Sequence, residues 1–207
     1  MKKNLFIAFE GIDGSGKSTQ VKLLTQKLEV AGLKVYTTCE PTDGPIGKII
    51  RDIFRHKMEA DHRTIAGLFV ADRLDHLLNK TNGILKKLEE GYTVITDRYY
   101  FSSYAYQSTH VDQHWVIQAN SLSANLQRPD LNIYIDISPE LSIDRLNKGR
   151  DSIELYETLE NLQNVRNKYF EIMELLKKEE KVLIVDGNRE PEIISNEIWD
   201  NIANRFK

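Results

Sequence analysis

Eight consecutive residues, Gly11-Ile12-Asp13-Gly14-Ser15-Gly16-Lys17-Ser18, satisfy G-x-x-x-x-G-K-[ST]. Chance alone would place such a match in a chain of this size roughly once in 100, with Gly at about 7% of residues. The context is also right, because the run follows a short apolar segment and opens an amphipathic helical pattern. Glycines let the backbone turn tightly and bring its N–H groups against phosphate oxygens. The helix that begins near Lys17 adds the positive end of its dipole. Lys17 would reach the β- and γ-phosphates of a nucleoside triphosphate, and the Ser18 hydroxyl would ligate Mg²⁺. The loop residues 11–18, with Thr19 beside them, are therefore the expected triphosphate site.

A second group of chemistry-bearing residues, Asp97-Arg98-Tyr99-Tyr100, follows another apolar run. An Asp at the end of a strand can enter the Mg²⁺ shell or orient an attacking oxygen. Arg98 can neutralise a phosphate. The same pair would also serve as a surface ion pair capping the strand, and placement alone leaves both readings open.

The elements that must position these residues alternate. Leu5–Phe9, Val35–Thr38, Tyr92–Thr96, Leu131–Ile137 and Val182–Val185 read as strands. Helical spacing connects them. It covers a helix ending at Ala31-Gly32, then Ile46–Arg55, and Thr64–Glu89 with a break near Asn82-Gly83. It continues over Asp112–Leu126, Pro139–Asn147 with Ser138 as N-cap, Leu155–Lys178 and Glu190–Phe206. Strands alternating with helices predict an α/β chain with a five-stranded parallel sheet covered on both faces. Ligands of such a sheet collect beyond the carboxyl ends of its strands, so the glycine-rich loop and Asp97-Arg98 would face one crevice. No repeat or linker divides the chain, and one domain over 1–207 is expected, with a short lid at about 147–155.

Composition narrows the partners. A net charge of −3 provides no basic surplus for a nucleic-acid surface, so any anion site must be a local cluster of Arg and Lys. Cys39 is the single cysteine, which fits a reducing compartment. Met1-Lys2-Lys3 followed by Leu5–Phe9 imitates the start of a signal peptide, but the apolar run is short and meets Glu10 and the glycine-rich loop. No stretch is long enough to span a bilayer. A soluble cytoplasmic protein is expected.

Four motifs occur together in order. They are the glycine-rich loop, Glu40-Pro41-x-x-x-Pro45-x-Gly47-x-x-Ile50-Arg51, Phe69-x-Ala71-Asp72-Arg73-x-x-His76, and Asp97-Arg98-Tyr99-x-x-Ser102-Ser103-x-Ala105-Tyr106-Gln107. Together they resemble the thymidylate kinase family, over nearly the whole chain. The resemblance implies a three-layer P-loop kinase fold, with ATP and Mg²⁺ on one side and thymidylate on the other, and a homodimer. It places Phe69 on the thymine ring, where an aromatic of a helix can equally be core. Arg73 would bond the base carbonyl or the acceptor phosphate. Arg51 and Arg98 would hold that phosphate, and Glu40 would belong to the same site. Ser103 and Gln107, four apart, would read the base edge if a helical turn aims both one way. Tyr106 would crowd a 2′-hydroxyl, or simply pack half-buried at an interface. Asp13 would meet the 3′-hydroxyl, or simply form a turn.

Departures from the family pattern are also visible. Leu155 stands where the lid often carries an Arg, and Cys39 stands where an Arg often precedes Glu-Pro. Gly14 and Ser15 leave the phosphate loop without a catalytic arginine, so Arg150 becomes the candidate for a lid-borne one. Glu154 and Glu157, at i and i+3, would mark a helix start. Arg145 and the loop from Asp186 to Arg189 would sandwich adenine. The nearest alternatives are a kinase for another deoxynucleotide or a deoxynucleoside, and a non-catalytic nucleotide-binding relative. A GTPase-type switch should show Asn-Lys-x-Asp, and Asn79-Lys80-Thr81-Asn82 lacks the Asp.

Overall fold

The computed structural model describes residues 4–149 and 155–206. Among them, Phe6–Glu10 (β1), Val35–Cys39 (β2), Thr93–Asp97 (β3), Leu131–Asp136 (β4) and Val182–Asp186 (β5) form one sheet in the order β2-β3-β1-β4-β5. Every pairing is parallel. The central strand β1, Phe-Ile-Ala-Phe-Glu, is buried along its whole length, as a strand covered on both faces must be.

Alternation of side chains across β1 builds the three layers. Phe6 and Ala8 face a core made with helices Ile84–Glu89 (α4), Tyr100–Tyr106 (α5), Gln113–Leu126 (α6) and Leu159–Leu176 (α8). Leu5, Ile7 and Phe9 face the opposite core, made with Leu24 and Leu28 of α1 (Lys17–Val30) and Ile194, Ile198 and Ile202 of α9 (Pro191–Ile202). A third cluster joins Ile50 and Ile53 of α2 (Pro45–Phe54) to Ile65 and Phe69 of α3 (His62–Leu78). The predicted three-layer α/β architecture is the observed one.

Helix boundaries follow local chemistry. Asp61 caps α3 by accepting from the Arg63 amide at 2.9 Å, and Asn79 ends it by accepting from Thr81 and Asn82, which breaks the helical pattern near the expected place. Ser138 caps α7 (Pro139–Gly149) through the Leu141 amide. The helical turn that the spacing of Ser103 and Gln107 called for is α5, which runs into a 3-10 turn over Gln107–Thr109. One expectation changes. The long helix begins at Leu159, four residues later than expected, because Thr158 is its N-cap and accepts from Asn161. Glu157 thus precedes the helix instead of opening it, and Glu154 lies outside the described residues.

Candidate active site

The carboxyl ends of β1, β2, β3 and β5 open on a cavity of ≈ 940 Å³. Gly11 turns the chain out of β1 at a φ of +144°, where a Cβ would lie 2.6 Å from the Ile135 carbonyl, so only glycine lets the loop pass this close to β4. The loop then enters α1 through Gly16, leaving the amides of the first turn directed into the cavity. Lys17 is buried and folds back on the loop, donating to the carbonyls of Gly11 at 3.1 Å and Ile12 at 3.0 Å. Burial, reinforced by the charge of Arg98, brings its ammonium down to about 8. Ser18 Oγ donates to Asp97 Oδ2 at 2.7 Å, which joins the loop to the end of β3.

Arg98 occupies a left-handed backbone conformation (φ 73°), pinned by its amide to the Phe9 carbonyl at 2.8 Å. Its guanidinium lies 4.8 Å from the Tyr106 ring centroid. It donates to Asp13 Oδ1 at 2.5 Å, the Gly11 carbonyl at 3.2 Å, Ser102 Oγ at 3.0 Å and the Tyr106 hydroxyl at 3.2 Å. Burial raises the Asp13 carboxyl, but the Arg98 and Lys17 charges and the Tyr106 hydroxyl outweigh it, and the group settles at about 2. Burial also holds the Tyr106 phenol well above its ordinary range. Asp13, Arg98 and Tyr106 are therefore one charged unit facing the middle of the cavity.

The far side is organised around Arg73, which is wholly buried. Its Nε and Nη2 donate to Glu40 Oε2 at 2.9 and 2.6 Å, and Nη1 donates to Ser103 Oγ at 3.0 Å and to Asn120 Oδ1. The other Glu40 oxygen meets His76 Nδ1 at 3.0 Å, and His76 Nε2 meets Thr38 Oγ1 at 2.7 Å. Asp72 anchors the segment after Glu40-Pro41 by accepting from the Thr42 amide at 2.8 Å and hydroxyl at 2.6 Å. Gly47 lets α2 lie on this segment, since a Cβ there would sit 2.0 Å from the Thr42 carbonyl. Arg51, on α2, donates to the Pro41 carbonyl at 2.8 Å and pairs with Asp43 at 3.3 Å.

Phe69 takes the core role weighed from the sequence, joining the α2–α3 cluster, and it also lines the cavity. Ser103 and Gln107 also line it, and Gln107 Oε1 is buried with no hydrogen-bond partner among the described residues. Such an orphaned acceptor in the cavity wall invites a ligand donor. At the opposite end Arg145 donates to the Gly14 carbonyl at 3.3 Å and the Gly187 carbonyl at 3.1 Å, bridging the phosphate loop and the loop after β5.

Every predicted site residue among those described lines this cavity except Gly11 and Ile12, which lie beneath the loop, while Arg150 falls outside the described residues. Sequence reasoning gave no role to Glu10, Ser102, Asn120 or Tyr156. Tyr156 is buried, packs on Phe54 at 5.3 Å and Tyr106 at 6.1 Å, and lines the cavity beside the lid. Ser102, inside the fourth motif, was within reach of that reading. Asn120 offered no local signal.

Comparison with known proteins agrees with this geometry. The family model described as thymidylate kinase matches residues 9–198. The chain belongs to the thymidylate kinase family. Its relatives include the thymidylate kinase of Leptospira interrogans serovar Lai, 37% identical over 206 residues covering 100% of this chain and 97% of the relative. The probable thymidylate kinase of Pyrobaculum aerophilum is 38% identical over 205 residues, covering 98% and 99%. That of Pyrococcus horikoshii is 41% identical over 180 residues, covering 84% of each chain. Membership assigns the all-parallel sheet, the phosphate loop and the three downstream motifs to one thymidylate kinase framework.

Proposed function

We propose that the protein transfers the γ-phosphoryl group of ATP to thymidylate, giving thymidine diphosphate and ADP. The observation that carries this reading is the single cavity in which a phosphate loop faces Phe69, Arg73, Ser103, Tyr106 and Gln107. Two polyanions must meet there, and the residues between them are cations: Lys17 from the donor side, Arg98 and Arg51 from the acceptor side. Lys17 leaves the loop carbonyls for the β- and γ-phosphates, exchanging two neutral acceptors for anionic ones. Arg98 takes the acceptor phosphate from its seat on the Tyr106 ring. Asp13 meets the 3′-hydroxyl, Phe69 stacks on the base, and Ser103 and Gln107 read its edge. Arg145 and the loop after β5 hold the donor base. The lid over about 147–155 closes the site with Arg150 as its arginine.

Ser18 Oγ and Asp97 Oδ2, already 2.7 Å apart, are the hard oxygen donors that suit Mg²⁺, which takes one or two protein oxygens and fills its shell with water and phosphate. When bound, the ion would supply charge neutralisation for the transferring phosphoryl group. Asp97 also lies where it can orient the attacking oxygen of the acceptor.

We read residues 1–207 as one domain acting as a homodimer in the cytoplasm. Trp115, Leu122 and Leu126 leave an exposed apolar stripe along α6, 43%, 55% and 38% accessible, with Leu78 of the adjacent α3 at 53%. A second copy covers this stripe, and sedimentation of the wild type against Leu122→Glu tests it. No described helix is long and apolar enough to cross a membrane.

The enzymatic test is ADP release with Mg²⁺-ATP against a panel of nucleosides and monophosphates. Thymidylate should exceed thymidine, uridylate and adenylate. A better turnover of thymidine or of another monophosphate would overturn the acceptor assignment.

A further inference from the structure

The mechanism above makes no use of Glu10, a carboxylate sealed beneath the phosphate loop. It is the last residue of β1 and only 1% exposed. Burying a carboxylate is costly unless it is fully bonded, and Glu10 is: it accepts from Ser102 Oγ at 2.6 Å, the Tyr99 amide at 2.9 Å and the Tyr169 hydroxyl at 3.0 Å. The Ser102 bond points beyond structure. A hydroxyl has one proton, and Ser102 gives it to Glu10, which turns the oxygen's lone pairs toward Arg98 Nη1 at 3.0 Å. Ser102 lies in the first turn of α5, four residues after Arg98, which precedes the helix. Arg98 makes its remaining bonds to the phosphate loop, Asp13 and Tyr106.

We propose that Glu10 is a positioning residue for Arg98, acting through Ser102, so that a buried charge behind the phosphate loop aims the arginine that grips the acceptor phosphate. The inference rests on the thymidylate kinase reading. Its logic is that of a polarised chain: the carboxylate strengthens Ser102 as an acceptor, and the guanidinium loses one of its four hydrogen-bond partners if the chain breaks.

The ionisable groups that face Glu10 are Arg98 from the β3–α5 link, Lys17 from α1, Tyr169 from α8 and Tyr134 from β4. Burial holds both tyrosines protonated and Lys17 falls to about 8, whereas burial pushes Glu10 up to about 7 against the pull of Ser102 and Arg98. The charge on the carboxylate thus changes in the range where acceptor binding is measured.

The experiment is steady-state kinetics with Mg²⁺-ATP and thymidylate between pH 6 and 9 on wild type, Glu10→Gln and Ser102→Ala. The glutamine keeps the shape and an accepting oxygen but not the charge, and the alanine removes the relay together with the Ser102–Tyr169 contact at 2.9 Å while leaving the Glu10 carboxylate in place. In both variants KM for thymidylate should rise about tenfold, equivalent to about 1.4 kcal/mol, while KM for ATP stays within about twofold. The wild-type profile of KM for thymidylate should show a step near neutrality, beyond the ligand phosphate's own ionisation near pH 6, that both variants lack. Variants of native thermal stability with wild-type KM and an unchanged profile would overturn the proposal. So would an equal rise in KM for both substrates, which marks general loosening. If Glu10→Gln fails to fold, Ser102→Ala alone decides by the same criteria. A wild type that does not turn over thymidylate would sink the function itself, whereas turnover with unmoved variants would sink only the positioning role.

Discussion

The two ends of the cavity are built by different means. The donor end is almost a single stretch of chain: residues 11–19 make the loop and open α1, and its chemistry is largely that of backbone amides. The acceptor end is assembled from Glu40 after β2, Arg51 on α2, Phe69 and Arg73 on α3, Ser103 on α5 and Gln107 in the following turn. Its decisive groups are side chains, pre-bonded to one another across the fold. A contiguous loop fails or survives as a unit, whereas an assembled pocket couples ligand binding to stability. Lys17 illustrates the first case, because its partners are carbonyls of its own loop. Arg73 illustrates the second, because it pairs with Glu40 at 2.6 Å while both side chains are 1% exposed.

Substitutions at the two ends should separate these behaviours. The largest effect is expected for Lys17→Ala. Turnover should fall by ~10³-fold or more, since a cation aimed at the transferring phosphate is lost, with thymidylate binding kept in calorimetry. A variant that loses thymidylate binding to the same degree would break the comparison. Arg73→Met should act the opposite way. Glu40 would be left buried and partnered only by His76, and stability should drop by about 3–5 kcal/mol in denaturant titration, together with acceptor affinity. If stability is unmoved, the acceptor end is not the prestressed assembly described here.

Glu10 supplies a pH-dependent measurement of intermediate size. Its folded-state value of about 7 lies above the ordinary 4.5, so the native state binds the extra proton between those limits. The associated stability is present below pH 4.5 and is lost as pH rises through 7. Relative to Glu10→Gln, wild type should therefore lose on the order of 3 kcal/mol between pH 4.5 and pH 8. A pH-independent difference would show that the carboxylate titrates normally. Arg145→Ala should have a smaller effect, raising KM for ATP by roughly threefold to tenfold with KM for thymidylate unchanged, as the loss of one polar or stacking contact predicts. The smallest shift belongs to Asp72→Asn, which keeps one bond to Thr42 and should cost about 1 kcal/mol.

The same contrast explains what the sequence made legible. The strands, their parallel order of use and the donor loop rest on local periodicity and a contiguous pattern, and they stand where they were expected. Arg73, Ser103 and Gln107 were reachable because they lie inside recognisable motifs; spacing relates Ser103 to Gln107, whereas Arg73 joins them only through the packing of α3 on α5. Asn120 was not reachable, since its partner Arg73 is 47 residues away and nothing near either one signals the contact. Glu10 read only as the polar end of an apolar strand. Its burial is a tertiary property, set by α5 and α8 closing over β1. The start of α8 was misplaced because Leu155 and Tyr156 continue an apolar pattern, although Leu155 packs on the α2–α3 core and Tyr156 lines the cavity.

Position 98 carries a lesson for stabilising the protein by design. Its left-handed backbone favours glycine, and an arginine there costs on the order of 1 kcal/mol in conformational strain. A search that ranks substitutions by backbone fit would select Gly at this position. By the same logic of local improvement it would replace Glu10 and Glu40, two carboxylates with no access to water, by apolar residues. The first change relieves backbone strain and the second a buried charge, whereas the loss of Glu40 would leave Arg73 an unpaired buried cation, and each would remove a piece of the site. Thermostable variants of this enzyme are therefore best sought on α1, α8 and α9 faces away from the cavity, with residues 10, 40, 73 and 98 held fixed.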